Sequence, residues 1–257
     1  LGSRDLAVLE SLREFRVMSG AQLRRLHFQG EHRDSMARRA RAAMKRLTEL
    51  DVVNRMPRRM GGVRAGSEGH LYSISGRGHT VLSLTDSRPS RYRRVDEVKP
   101  AFESHALAVA ELAVRLHELR RSGHCELEAL RAEPACWRSF AGIGGDRRVL
   151  KPDLFVQVVI DDVELSAFVE VDLGTESGPT LVRKLGVYLD YYRSGLEQRE
   201  HGVFPRVWWV APDAARLAAI RRAIECVPVE GRQLFATALA GEAADHLIRL
   251  GTDGAAR

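Results

Sequence analysis

The sequence predicts an α/β chain, mixed α+β overall, built in two parts. Apolar residues recur at helical spacing through the first fifty positions, and beyond residue 125 short apolar runs of strand length alternate with helical segments. The charge divides the same way. Residues 1–100 hold 21 Lys/Arg against 11 Asp/Glu, whereas the remaining 157 hold 19 against 23, within an overall net charge of +6. A basic first part joined to a slightly acidic second part is the footprint of a nucleic-acid anchor attached to something else.

In the first part, "RDLAVLESLREFRVMSG" carries Leu6, Leu9, Leu12 and Phe15 on one helical face and is expected to stop near Gly20. "SGAQLRRLHF" predicts a second, shorter helix with Ser19 as its N-cap. "HRDSMARRARAAMKRLTELDVV" predicts a third, with Met36 or Ala37, Ala40, Ala43 or Met44, Leu47 and Leu50 inward and Arg33, Arg38, Arg39, Arg41 and Lys45 outward. A strand "VVNRMPRR", a Gly-rich turn and a returning strand "HLYSIS" follow. Three helices and a two-stranded ribbon is the order of a winged helix-turn-helix, expected over residues 4–88. A helix fits the major groove of duplex DNA, so the outward arginines of helix three could meet bases and phosphates, and Arg58, Arg59 and Arg64 on the ribbon could meet the backbone. The bland alternative is a solvated helix face, or a winged helix used for protein contacts.

The polar, proline-containing stretch "TDSRPSRYRRVDEVKP" predicts a boundary, with a linker over 89–100 and a second domain over 101–250. The second domain opens with an amphipathic helix ending at Gly123. Strands are expected at "CELEALRAE", "DLFVQVVI" and "SAFVEVD", then a helix at "GPTLVRKLGVYLDYYRSG", a strand at "RVWWVA", a helix at "DAARLAAIRRAIE" and a strand at "QLFATAL". Helices between strands imply a partly parallel sheet covered on its faces.

Within "AFVEVDLGTES", Glu170 and Asp172 stand two residues apart and so share one face of a strand. Roughly 5–7 Å apart at an effective dielectric near 20, two carboxylates repel by about 3 kcal/mol. A hairpin through Asp161-Asp162 would bring Asp153 beside Glu170, and hard cations such as Mg²⁺ or Mn²⁺ prefer clustered carboxylate oxygens. Asp153, Glu170 and Asp172 are therefore the candidate metal ligands. Such a metal could polarise a phosphodiester and activate water.

"KPD", with "EVD" following seventeen residues after its Asp, resembles the PD-(D/E)XK nuclease superfamily. More narrowly, the winged-helix order, "ESHALAVAELAVRL", "KPDLFV", "FVEVDLGTES" and "KLGVYLDYY" followed by "VFPRVWWV" resemble the replication-relaxation family of plasmids and mobile elements, over residues 4 to about 240. The resemblance implies a restriction-endonuclease-like αβββαβ second domain and a role in replication or DNA relaxation. Asp153 matches the Asp of the "PD" element and Glu170 the acid of the next strand. The motif lysine is missing, since Asp172 occupies its position. Lys184 on the following helix is the better substitute and Lys151 the other, which makes Asp153, Glu170 and Lys184 the expected catalytic set. A further acid could come from Glu103, Glu111, Glu128 or Glu133, and Glu176 could bind metal or cap a helix.

Three functions remain in view: a metal-dependent DNA endonuclease, a catalytically inactive nuclease-fold regulator or assembly factor, and a transcription factor whose second domain senses a small ligand. All take double-stranded DNA as partner, and a homodimer is the assembly expected of a winged helix. The three cysteines lack metal-ligand spacing and read as reduced thiols of a cytoplasmic protein. No apolar run approaches membrane-spanning length and no signal peptide is read, while "LGS" at the start reads as a cloning remnant.

Overall fold

Helices and strands follow one another in two units, Leu1–Val114 and Arg115–Arg257. The computed structural model describes residues 1–30, 32–56, 70–85, 100–142 and 144–255. Among these no helix is long and apolar enough to cross a membrane.

In the first unit α1 (Ser3–Phe15), β1 (Met18–Ser19), α2 (Gly20–His27), α3 (Arg33–Glu49), β2 (Val53–Met56), β3 (Leu71–Ile74) and α4 (Gly76–Thr85) precede the start of α5 (Pro100–Arg121). Val8, Leu9 and Leu12 of α1 are fully buried, with Leu23, Leu47 and Leu82. The first helix ends earlier than its spacing predicts. Arg16 takes φ +64, and Met18 and Ser19 then pair antiparallel with Tyr72 and Leu71. Val17 and Met18 are completely buried there, so strand pairing and burial outweigh a fourth helical turn. Ser19 caps α2 as expected: its hydroxyl accepts from the Gln22 N–H at 3.2 Å, and the Gln22 side chain accepts from the Ser19 N–H at 3.0 Å. Gln22 also donates to the Leu107 carbonyl at 2.9 Å and to Glu111 at 3.1 Å, tying α2 to the first part of α5.

The ribbon pairs Val53–Met56 with Leu71–Ile74 in antiparallel register. Helix α4 is an element that sequence periodicity does not announce. "GRGHTVLSLT" has no strong apolar period, and its start depends on Ser75, whose hydroxyl accepts from Gly78 N–H at 3.0 Å and donates to the Asp51 carbonyl at 2.6 Å. The expected turn of the ribbon, with Arg58, Arg59 and Arg64, lies outside the described residues, as does the expected linker apart from Pro100.

The second unit is organised by a mixed five-stranded sheet in the order β10-β9-β8-β7-β4. Its strands are β4 (Glu126–Ala132), β7 (Leu154–Ile160), β8 (Val163–Val171), β9 (Arg206–Ala211) and β10 (Phe235–Leu239). β4, β7 and β8 pair antiparallel, whereas β8, β9 and β10 run parallel. Parallel neighbours require crossovers, supplied by α6 (Gly178–Ser194) with α7 (Leu196–His201), and by α8 (Ala214–Glu225) with α9 (Val229–Arg232). α6 packs on α8, α8 on β9 and β10, and α10 (Ala243–Ala255) on β7, β8 and β10. A separate hairpin, β5 (Arg138–Ala141) with β6 (Arg147–Leu150), packs on α6. This hairpin, with α7, α9 and α10, adds to the elements expected from the sequence.

The last five residues of β8, Ala167–Val171, are all buried, as befits a central strand covered on both faces. Phe155, Phe168, Val207 and Phe235 are cross-strand partners in one row. Phe168 meets the Tyr188 ring of α6 at 6.2 Å. Nearby, Glu197 of α7 is fully buried and receives Arg138 Nε at 3.0 Å and the Tyr191 hydroxyl, while Arg138 stacks over Phe155 and Phe168.

Gly78 is required by a close approach: a Cβ there would lie 2.1 Å from the Val52 carbonyl oxygen and 2.9 Å from Ile74. Gly78→Ala is expected to destabilise the first unit by about 1–3 kcal/mol, as overpacking against backbone does. Denaturant unfolding followed by circular dichroism measures this.

Candidate functional site

β7 and β8 are joined by the two-residue turn predicted at Asp161-Asp162, and both aspartates have positive φ, +46 and +67. That is the handedness favoured in two-residue hairpins, and Asp tolerates it better than most residues. The turn sets the register: Leu154 pairs with Val169 and Phe155 with Phe168. The ladder ends at Leu154, where Asp153 N–H donates to the Val169 carbonyl at 3.0 Å, which sets Asp153 against the end of β8, where its charge acts on Glu170. Glu170 in turn pairs with Trp209 across the parallel β8–β9 ladder. The pair Glu170 and Trp209 therefore lies beyond the row of Phe155, Phe168 and Val207, at the carboxyl ends of the parallel strands, where open α/β sheets commonly bind ligands.

Glu170 is 3% exposed. Its Oε1 accepts from the Tyr188 hydroxyl at 2.6 Å and its Oε2 from Lys184 Nζ at 3.2 Å. Lys184 and Tyr188 stand four residues apart on α6 and so project from one helical face. Lys184 Nζ also lies 2.6 Å from Glu176 Oε1 and 5.8 Å from the Trp209 ring centroid. Asp153 Oδ2 accepts from the Val171 N–H at 2.7 Å. Lys184 thus reaches back to the carboxylate pair, while Lys151 instead lies 4.8 Å over the Trp137 ring.

Asp172, expected from its spacing to join this pair as a metal ligand, is held by another partner. Its two oxygens accept from Arg216 Nε at 3.0 Å and Nη2 at 2.6 Å, and Oδ1 also accepts from Gly174 N–H at 2.7 Å. The repulsion expected between Glu170 and Asp172 is answered by two different cations, Lys184 for one and Arg216 for the other.

Three carboxyl groups, Asp153, Glu170 and Glu176, act on the single Lys184 ammonium. Burial and the Asp153 charge push the Glu170 carboxyl up to about 8, against the pull of Lys184 and Tyr188. Burial alone would lower Lys184, but Glu170, Glu176 and Asp153 hold it above its usual value, so it stays an ammonium. Burial and Glu170 raise the Tyr188 phenol well above 10, which keeps it a hydrogen-bond donor. The site is short of positive charge, and a proton on Glu170 makes up the difference.

A divalent cation could supply the same charge. Among the described residues no three His, Cys, Asp or Glu side chains form a metal-binding group. The donors expected for one are the carboxylates of Asp153 and Glu170, and Mg²⁺ commonly uses one or two carboxylates together with waters and phosphate oxygens. A cation here would rest on two carboxylates and its own waters, and not in an all-protein cage.

Residues 9–207 match the family described as replication-relaxation. The chain belongs to the replication-relaxation family. No curated protein and no solved structure matches it. Family membership suggests a role in plasmid or mobile-element replication or relaxation, with DNA-related partners.

In this replication-relaxation protein the outward residues of α3 divide into two groups. At about 100° per residue, Arg38, Arg41 and Lys45 fall within about 60° of one another, while Arg39 lies on the other flank beside Arg46. Arg38, Arg39, Arg41 and Lys45 are all exposed. Lys45 has only a loose 3.7 Å contact with Glu49, whereas Arg46 is tied at 2.6 Å to Asp5. Arg33 is the first residue of α3. Of the remaining candidate acids, Glu111 pairs with Arg25 and Gln22 in the first unit, and Glu133 donates its N–H to the Asp153 carbonyl at 3.1 Å. Sequence reasoning missed Arg216. Its only local cue is its place three residues after the helix-capping Asp213, and nothing there indicates a partner 44 residues back.

The Glu170 value fixes a sign. Free in the unfolded chain the carboxyl titrates near 4.5, and folded near 8, so between these values the native state holds a proton that the unfolded state has released. Native stability contributed by this group is full below about pH 4.5 and is lost as pH rises towards 8. Glu170→Gln, which mimics the protonated form, is expected to remove this slope. Its melting temperature should rise relative to wild type by a few degrees between pH 5 and 8, measured by paired thermal melts.

Proposed function

We propose that the chain is a cytoplasmic, plasmid- or nucleoid-associated protein that binds duplex DNA through its first unit and cleaves a phosphodiester with its second. The first unit is read as a winged helix-turn-helix, with α2 and α3 as the helix pair and β2–β3 as the ribbon. Arg38, Arg41 and Lys45 then serve as phosphate and base contacts from α3, and a homodimer would present two such helices. The second unit is read as a PD-(D/E)XK-like nuclease domain with its lysine moved to the following helix.

The observation that carries the nuclease reading is Lys184 Nζ, 3.2 Å from Glu170 Oε2, on the helix after the Glu strand, with Asp153 Oδ2 bonded to the N–H of Val171, the residue after Glu170. Mg²⁺ or Mn²⁺, when bound to Asp153 and Glu170, would supply Lewis-acid polarisation of the phosphate and an activated water. Lys184 gives a fixed positive charge for the non-bridging oxygen on which negative charge grows. Tyr188 donates to Oε1 at 2.6 Å and so orients the Glu170 carboxyl.

A second reading has its own support: both Glu170 oxygens already accept hydrogen bonds, as a retired site stabilised by internal pairing would. On that reading the second unit is a platform, and the protein a DNA-binding regulator or assembly factor.

Incubation with supercoiled plasmid and Mg²⁺ or Mn²⁺ separates the two. Wild type is expected to nick or linearise the plasmid, Lys184→Ala to lose about 10²–10³-fold in rate, and Asp153→Ala/Glu170→Ala to lose activity altogether. Intact binding with no cleavage by wild type would establish the regulator instead. For the first unit, neutralising Arg38, Arg41 and Lys45 is expected to reduce the salt dependence of duplex affinity. The log–log slope should fall by about 0.9 for each phosphate that is no longer neutralised, with Arg39→Ala having the smaller effect. An unchanged slope would mean that α3 does not face DNA.

A further inference from the structure

Asp172 stands where the nuclease motif carries its lysine, and its partner Arg216 is among the best-engaged side chains of the second unit. Arg216 is on α8 with its side chain 14% exposed, and that of Asp172 is 2% exposed. Besides its two bonds to Asp172, Arg216 Nη2 donates to the Glu176 carbonyl at 2.8 Å. One guanidinium therefore grips both ends of the span 172–176, whose middle turns at Gly174 with φ +86. The planar fork of arginine suits such two-point anchoring, and a lysine could not span it.

What this loop carries is Glu176. Its Oε1 lies 2.6 Å from Lys184 Nζ, while its Oε2 is buried with no hydrogen-bond partner among the described residues. A carboxylate with one dry, unpaired oxygen gains hydration by swinging out to water. The grip of Arg216 on the Glu176 main chain opposes that swing.

We propose that Arg216 is a positioning residue for Lys184: by anchoring Asp172 and the Glu176 carbonyl, it keeps Glu176 against the lysine and so suspends the ammonium between the loop and the sheet. Lys184 then lies between Glu176 and Glu170 and is not collapsed onto Glu170 alone. The acid at the motif position is the anchor of the loop that aims a cation brought from elsewhere. The catalytic importance of this arrangement rests on the nuclease reading above, but the arrangement itself can be tested without metal or DNA.

The chain has four lysines, Lys45, Lys99, Lys151 and Lys184, so amine acylation at one fixed pH, read by peptide mass spectrometry, resolves each one. With Lys45 and Lys151 as internal references, Arg216→Ala and Glu176→Gln are each expected to raise Lys184 acylation several-fold. The double variant should be no faster than Glu176→Gln alone. Arg216→Lys, which keeps one charge on Asp172 but cannot reach both anchors, should give an intermediate rise and serves if Arg216→Ala does not fold. The proposal is overturned if Lys184 reacts at the wild-type rate in the Arg216 variants. It is also overturned if Lys45 and Lys151 accelerate in parallel, which marks general loosening, or if the two single effects multiply in the double variant. Absence of plasmid cleavage in the earlier experiment would leave this outcome unaffected.

Discussion

Glu170 is a carboxyl group that folding removes from water, and the surrounding structure is arranged around what that requires. An isolated buried carboxylate is costly enough that it either neutralises or acquires partners. Glu170 does both. A lysine and a tyrosine from one face of α6 bond its two oxygens, and burial beside Asp153 favours the protonated form. The placement of α6 over the sheet, the aromatic row beneath it and the loop that carries Glu176 all serve this one desolvated group.

The charge logic is spatially partitioned. Two carboxylates two residues apart would repel on a simple strand, but the strand ends at Val171 and each acid meets its own cation. Lys184 comes from the crossover after β8, and Arg216 from the helix after β9. A parallel sheet makes this arrangement available, because successive crossover helices return to neighbouring places at the same end of the sheet. In the first unit the corresponding division is on α3: one outward stripe is left to solvent, while Arg46 is drawn to the buried Asp5.

Much of the architecture was legible in local pattern. The β7–β8 hairpin followed from two apolar runs separated by Asp161-Asp162, and with it the juxtaposition of Asp153 and Glu170. Lys184 was legible as the cation of this site because it lies on the helix that follows the Glu170 strand. Less was legible where local pattern was weak. Helix α4 has two glycines and no apolar stripe, and depends on the Ser75 cap and on close packing against Val52. β5 and β6 are four residues each and take their order from packing on α6. β1 exists only because β3 is there to pair with it.

Residue spacing alone specified the mixed α/β class and the order of the main elements, because periodicity and hairpin register are local properties of the chain. What each carboxylate would pair with was settled by packing in three dimensions. Asp172 looked like a third ligand beside Glu170 until Arg216, 44 residues away, claimed both its oxygens. Charge pairing depends on distance in space, and across a crossover connection that distance is not encoded in residue spacing.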